Sequence, residues 1–302
     1  MRKPRGIVCP LLTPCNVDGS IVRDLWVSHA AWVLEQGAHY LSPFGTTGEA
    51  TSFTTAQRIE ALDWLIESGI PADRLMPGTG VPSLGETTQL SLHAARAGCT
   101  AVMVLPSFFY VQAGDDGQAR FYTELVEAIA DTGAGLILYH IPQNSGVKVS
   151  PSLSAHLAQA FPRTIVAYKD SSGDWNNTAA IIAAAPGLSV FPGSETFLST
   201  GLQEGAAGCI SATVNLNSAA IRAVHDGFAA GQDVGEADDA IKRFRHIVQD
   251  AGLIGSMKAL LAVTSGDDRW LNLRPPHLDA KRQQGQALLA ALGEMANHIP
   301  RH

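Results

Sequence analysis

Lys169 closes the apolar run of TIVAYKDSSGD. A lysine amine set in apolar surroundings tends toward its neutral form, because burial penalises charge. A neutral amine attacks a carbonyl carbon and forms a Schiff base. The alternative is an ion pair with Asp170 that only ties structure together. Tyr139 ends a second apolar run, in LILYHIPQNSG. A phenol beside such an amine can relay protons to and from a substrate oxygen; otherwise it caps the core with its hydroxyl in solvent. His140 falls on the opposite face by strand alternation and reads as structural. In SPFGTTGEAT, Gly45 and Gly48 bracket Thr46 and Thr47. Their backbone N–H groups and hydroxyls suit a small anion. No lysine follows as in a nucleotide-binding P-loop. The plainer reading is a turn with Glu49 capping the next helix. Gly193, Glu195, Ser211 and Thr213 follow two further apolar runs, either as substrate contacts or as helix caps.

These residues need elements to hold them. Eight short apolar runs occur, at 7–10, 39–41, 75–77, 101–105, 136–139, 165–169, 188–191 and 208–210. Helical periodicity separates them, near 23–36, 54–68, 84–97, 116–131, 151–160, 175–185 and 196–205, and follows the last at 217–229. Ser150-Pro151 and Asn217 read as helix starts, as does Asp115-Asp116. Strand–helix alternation implies a parallel sheet with crossover helices. Strands buried on both faces should be continuously apolar, as these runs are. Eight units fit an α/β fold of the (β/α)8 TIM-barrel type, with reactive groups at the strands' C-terminal ends. A doubly wound sheet would usually carry G-x-G-x-x-G after its first strand, where this chain has CPLLTPCNVDGS. From about 236 onward the pattern is helical only, at 236–251, 254–264 and 280–297. The expected division is a catalytic barrel over 1–230 and a C-terminal helical extension over 231–302.

The chain has 302 residues, room for one such barrel of about 200–250 residues and a tail. With 21 basic and 28 acidic residues the net charge is −7, and no basic run suggests nucleic acid. Only 16% of residues are charged, against about 25% in a typical soluble chain, which suggests surface covered by other subunits. Cys9, Cys15, Cys99 and Cys209 form no C-x-x-C pair and read as reduced thiols of a cytoplasmic protein. The basic start MRKPRG makes a poor signal peptide. No apolar run approaches the ~18 residues of a membrane span. Neither the histidines nor the cysteines have metal-site spacing, and no G-x-S-x-G elbow is present. No metal or cofactor is expected.

GTTGE at 45–49, the Y-x-x-P of Tyr139 to Pro142, KDSSGD at 169–174 and GSE at 193–195 resemble, in order and spacing, the dihydrodipicolinate synthase and N-acetylneuraminate lyase family. The resemblance covers residues 5 to about 280. It implies a (β/α)8 barrel with a helical extension, assembled as a homotetramer built from two dimers. It also implies a class I aldolase, in which a lysine forms a Schiff base with pyruvate or another 2-keto acid. By that resemblance Lys169 is the nucleophile and Tyr139 the proton relay. Thr46 joins the relay, and Thr47, beside Gly45, binds the keto-acid carboxylate. Ile210 resembles the residue whose carbonyl faces the keto acid. Ser171, Gly193, Glu195 and Ser211 would contact the variable half of the substrate.

Two departures stand out. The synthases carry an arginine two residues past the proline, for the carboxylate of aspartate semialdehyde; this chain has Asn144, and an amide cannot replace a bidentate guanidinium. They also place a tyrosine that reaches a neighbouring subunit's site; Phe109 takes that place here, with Tyr110 beside it. Either Tyr110 substitutes or the relay is shorter. IPQNSGVKVS resembles sialic acid lyases, and KDSSGD is similar to lyases of 2-keto-3-deoxy sugar acids. The leading expectation is a lyase joining or releasing pyruvate and an aldehyde, on a sugar-acid or sialic-acid-like substrate. The alternatives are dihydrodipicolinate synthase, a 2-keto-3-deoxy acid dehydratase, or a catalytically silent keto-acid-binding protein.

Overall fold

The computed structural model describes residues 3–299; the first two and last three residues of the expected divisions lie outside it. Seven parallel strands are β1 (Gly6–Cys9), β2 (Tyr40–Leu41), β3 (Ala101–Val104), β4 (Gly135–His140), β5 (Ile165–Asp170), β6 (Ser189–Pro192) and β7 (Gly208–Ile210). They form two arcs, β2-β1-β7 and β3-β4-β5-β6. Nearly every strand residue is buried, as expected where helices cover one face and the barrel core the other.

Segment 75–79 joins the arcs on one side. Met76 N–H donates to the Leu41 carbonyl at 2.8 Å, and Met103 N–H to the Pro77 carbonyl at 2.8 Å. Pro77 has no N–H to give, so this eighth stave is pinned by isolated bridges rather than a full ladder. On the other side Ala207 N–H donates to the Val190 carbonyl at 2.8 Å, linking β6 to β7. The barrel therefore closes, as a (β/α)8 fold requires.

The helices fall within a few residues of their expected spans. Ser150 Oγ accepts from Leu153 N–H at 3.1 Å, the cap its position implied. Helix Gly114–Ile129 carries Asp115 and Asp116 in its first turn, as read. Asn217 stands at a kink: the span Val214–Ala229 is two helices joined there, a short turn after β7 and then the helix expected to start at Asn217, whose φ of −129° is non-helical. Its side chain is buried rather than capping.

After the barrel come helices Gly235–Asp250, Ile254–Ser265 and Arg282–Leu292. They share an apolar cluster with Leu12, Ala212 and Leu216, including Phe244, Met257, Leu260, Trp270 and Leu288. Leu12 follows β1 and Ala212 follows β7, so the extension packs over that side of the barrel's C-terminal mouth. Among the described residues no single helix is long and apolar enough to cross a membrane.

Candidate active site

Strands β4 and β5 pair with Tyr139 opposite Lys169. The two side chains therefore leave the sheet on the same face. Each residue is only 3% exposed. The Lys169 Nζ lies 4.1 Å from the centre of the Tyr139 ring. The Tyr139 hydroxyl is hydrogen-bonded to Thr46 Oγ1 at 3.0 Å. Among the described residues, no carboxylate forms an ion pair with Lys169 and no group hydrogen-bonds its amine. Asp170 is not its partner. Alternation turns that carboxylate to the helix layer, where it accepts from Asn177 Nδ2 at 2.9 Å and Thr178 Oγ1 at 2.7 Å. His140 also faces outward: its Nδ1 accepts from Val149 N–H at 3.0 Å, and burial pushes the imidazole below its ordinary range.

The GTTGE loop leaves β2 through a tight turn. Phe44 and Glu49 take left-handed φ values of 58° and 57°. A Cβ on Gly48 would crowd the Leu11 carbonyl at 2.6 Å, so only glycine lets the loop lie against the segment after β1. The N–H groups of Gly48, Glu49 and Ala50 close turn bonds within the loop. Those of Thr46 and Thr47 find no acceptor among the described residues, which leaves them for an anion. Glu49 does not cap the next helix. Its Oε1 accepts from Lys258 Nζ at 2.7 Å and its Oε2 from Arg274 N–H at 2.7 Å. Both side chains of the Glu49–Lys258 pair are 0% exposed. Lys258 also donates to the carbonyls of Thr13 and Asn272, at 2.9 and 2.6 Å. The sequence gives no local sign of this clamp, because its partners stand 209 residues apart.

A cavity of about 500 Å³ opens over the strand ends. Lys169, Tyr139, Thr46, Thr47, Ile210, Ser171, Gly193 and Asn144 line it. An adjoining chamber of about 310 Å³ shares Thr46, Tyr139 and Asn144 and adds Gly45, Met103 and Phe108. A Cβ on Gly193 would collide with Ser171 Oγ, so these two residues meet only because one has no side chain.

Two expected contacts lie elsewhere. Glu195 and Ser211 are fully buried and line neither chamber. Glu195 accepts from the hydroxyls of Ser211 and Thr213 and lies 3.8 Å from Arg245. Alternation explains Ser211: it follows Ile210, which faces the cavity. Tyr110 is 70% exposed and lines no part of this chain's own cavity. The backbone turns at Phe109, with φ 81°, and the two rings pack edge to face at 5.4 Å on the surface. Phe108 faces the smaller chamber instead. Arg245, Ile254 and His277 reach the cavity from the extension. Residue spacing did not single them out, since nothing in a helical tail tells which side chains turn toward a barrel.

Among the described residues one group has metal-ligand spacing, His39 with His225 and Asp226. His39 precedes β2, at the opposite end of the barrel from Lys169. Arg222 already donates to Asp226 at 2.6 Å and opposes a cation there.

The site thus sets an amine and a phenol at paired strand ends, beside the GTTGE turn, at the C-terminal mouth of a barrel where such enzymes carry their active sites. The comparisons agree. Residues 3–295 match the Dihydrodipicolinate synthetase family; the chain belongs to that family and is a carbon–carbon lyase. An uncharacterized DapA-like lyase of Chloroflexus aurantiacus is 33% identical over 96% of this chain and 97% of its own. The crystal structure of dihydrodipicolinate synthase from Agrobacterium tumefaciens superposes with a TM-score of 0.87 at 26% identity, over 98% of this chain and 100% of that one. YagE, a prophage protein of Escherichia coli K12 solved with pyruvate, shares the fold with a TM-score of 0.86 at 20% identity, over 96% of this chain and 98% of that one.

Proposed function

We propose that the chain is a class I lyase in which Lys169 forms a Schiff base with pyruvate. The observation that carries this reading is a buried amine with no carboxylate partner, 4.1 Å from a tyrosine ring whose hydroxyl is bonded to Thr46. The amine adds to the ketone carbon, and water leaves to give an iminium. Tyr139 passes the protons this requires, with Thr46 fixing its hydroxyl. The Thr46 and Thr47 N–H groups hold the keto-acid carboxylate, with the Ile210 carbonyl facing the bound acid. Loss of a methyl proton gives an enamine that attacks an aldehyde; the reverse sequence cleaves a 2-keto-4-hydroxy acid.

For the acceptor half, Asn144, Ser171 and Gly193 offer neutral polar contacts, which fits a 2-keto-3-deoxy sugar acid. The Agrobacterium neighbour's name favours dihydrodipicolinate synthase as the second reading. Asn144 weighs against it, because no guanidinium stands there. The exposed Phe109–Tyr110 pair suits burial against a second copy, in keeping with a homotetramer in which Tyr110 reaches a neighbour's site. Four free cysteines suit the cytoplasm.

Borohydride reduction in the presence of pyruvate tests the reading. One reduced pyruvate per chain by intact mass, absent in Lys169→Ala, is the expected result. A wild-type chain with no adduct overturns it.

A further inference from the structure

Arg245 belongs to the extension, yet its side chain forms part of the cavity wall. That side chain is 9% exposed. A guanidinium so buried needs its charge answered and its donors used. Glu195 answers the charge, but at 3.8 Å it accepts no hydrogen bond from the arginine. Its two oxygens are taken by the hydroxyls of Ser211 and Thr213. Arg245 Nη1 donates to Ser211 Oγ at 3.1 Å, and Nε reaches Gln249 Oε1 at 3.3 Å. Nη2 has no acceptor among the described residues. The fork is thus held in place along one side and left open along the other.

We propose that Arg245 binds a second carboxylate, at the far end of the substrate, so that the compound made or cleaved is a 2-keto diacid. This rests on the Schiff-base reading of the same cavity. The keto-acid carboxylate already has its place at the Thr46 and Thr47 N–H groups, so a cation elsewhere in the cavity serves a different group. Asn144, across the same cavity, is neutral, and Arg245 brings the guanidinium from the extension. The turn beside it, Gly252 to Gly255, lines the cavity with no ionisable side chain. Lys169 is used up as the imine. One guanidinium edge without a second strong cation matches a singly charged carboxylate better than a phosphate dianion. Within the sugar acids, this selects those oxidised at both ends.

The test compares matched keto acids by borohydride trapping. 2-Oxoglutarate and 2-oxoadipate carry the far carboxylate; 2-oxopentanoate and 2-oxohexanoate are the same chains without it. Pyruvate is the reference. On the wild type at least one diacid should reach half-maximal adduct at about tenfold lower concentration than its monoacid. In Arg245→Gln that preference, normalised to pyruvate, should fall to about one. Removing Arg245 alone strands Glu195 in the interior, so Glu195→Gln/Arg245→Gln is measured alongside and should behave alike. Equal half-saturation of diacid and monoacid on the wild type would sink the proposal, as would a preference that survives in the variants. If pyruvate leaves no adduct, the Schiff-base reading falls by itself. The same ligands are then read by the melting shift they cause, which needs no imine. A diacid that stabilises the wild type more than its monoacid, and loses that advantage in both variants, still supports Arg245; equal shifts overturn it.

Discussion

Tyr139 is constrained at two points, by Lys169 over its ring and by Thr46 at its hydroxyl. Tyr139→Phe keeps the ring and removes only the proton path. We expect a fall in kcat of about 10²–10⁴-fold, measured as pyruvate release or consumption. The melting temperature should barely move, since one hydrogen bond contributes about 1 kcal/mol. An unchanged kcat would dismiss Tyr139 as the relay. Gly193→Ala acts through its neighbour instead. The new Cβ meets Ser171, so Ser171 must shift, and KM for the acceptor should rise more than kcat falls. At this scale Lys169, Tyr139 and Thr46 were legible because a strand end fixes where its side chain opens. Glu195 and Ser211 were misplaced because being near the mouth does not say which way a side chain turns. Arg245 escaped because its part depends on how a remote helix docks.

The Glu49–Lys258 pair joins the GTTGE loop to helix Ile254–Ser265. Lys258→Met would leave a buried carboxylate without its cation. Breaking a buried pair in this way costs about 3–5 kcal/mol, to be read from urea unfolding. Lys258→Met with Glu49→Gln removes both charges and should recover part of that loss. The loop's N–H groups are set by the same clamp, so pyruvate half-saturation should rise in the single variant and recover in the double. A single variant as stable as the wild type would mean that Glu49 is held by the Arg274 N–H alone. Most elements were readable from continuous apolar runs and helical period. The exception among the strands is 75–79, whose run was recognised but whose ladder Pro77 interrupts. Asn217 marks where the longer helix starts after a kink; the short turn before it, in which the Thr213 carbonyl accepts from Asn217 N–H at 2.8 Å, had no signal of its own.

Across the whole molecule, barrel and extension share one apolar cluster, and His29 lies at their seam. Its ring packs against Trp32 and Trp270, at 5.9 and 5.1 Å between centres. Its Nε2 bonds Asn215 Oδ1 at 3.1 Å, and Asn215 in turn holds Leu12 N–H, the Pro10 carbonyl and the Ala212 carbonyl. A barrel histidine therefore sits where both parts of the chain must fit together, a relation that no local pattern discloses. Burial lowers His29 from 6.5 to about 4, partly opposed by the Asn215 bond. His39, at the other end of the barrel, falls from 6.5 to about 4 through burial, Arg222 and His225. Both imidazoles stay neutral in the fold until about pH 4, while the unfolded chain takes up protons near pH 6.5. Between those values the unfolded state binds more protons, so stability declines as pH falls and is regained as pH rises. Thermal melts across that window should show a falling midpoint on acidification. His29→Gln should make the fall shallower by removing one of the lowered imidazoles, His39 and His140 remaining. A wild-type midpoint that stays flat from pH 6.5 to pH 4 would show that neither imidazole is held neutral by the fold.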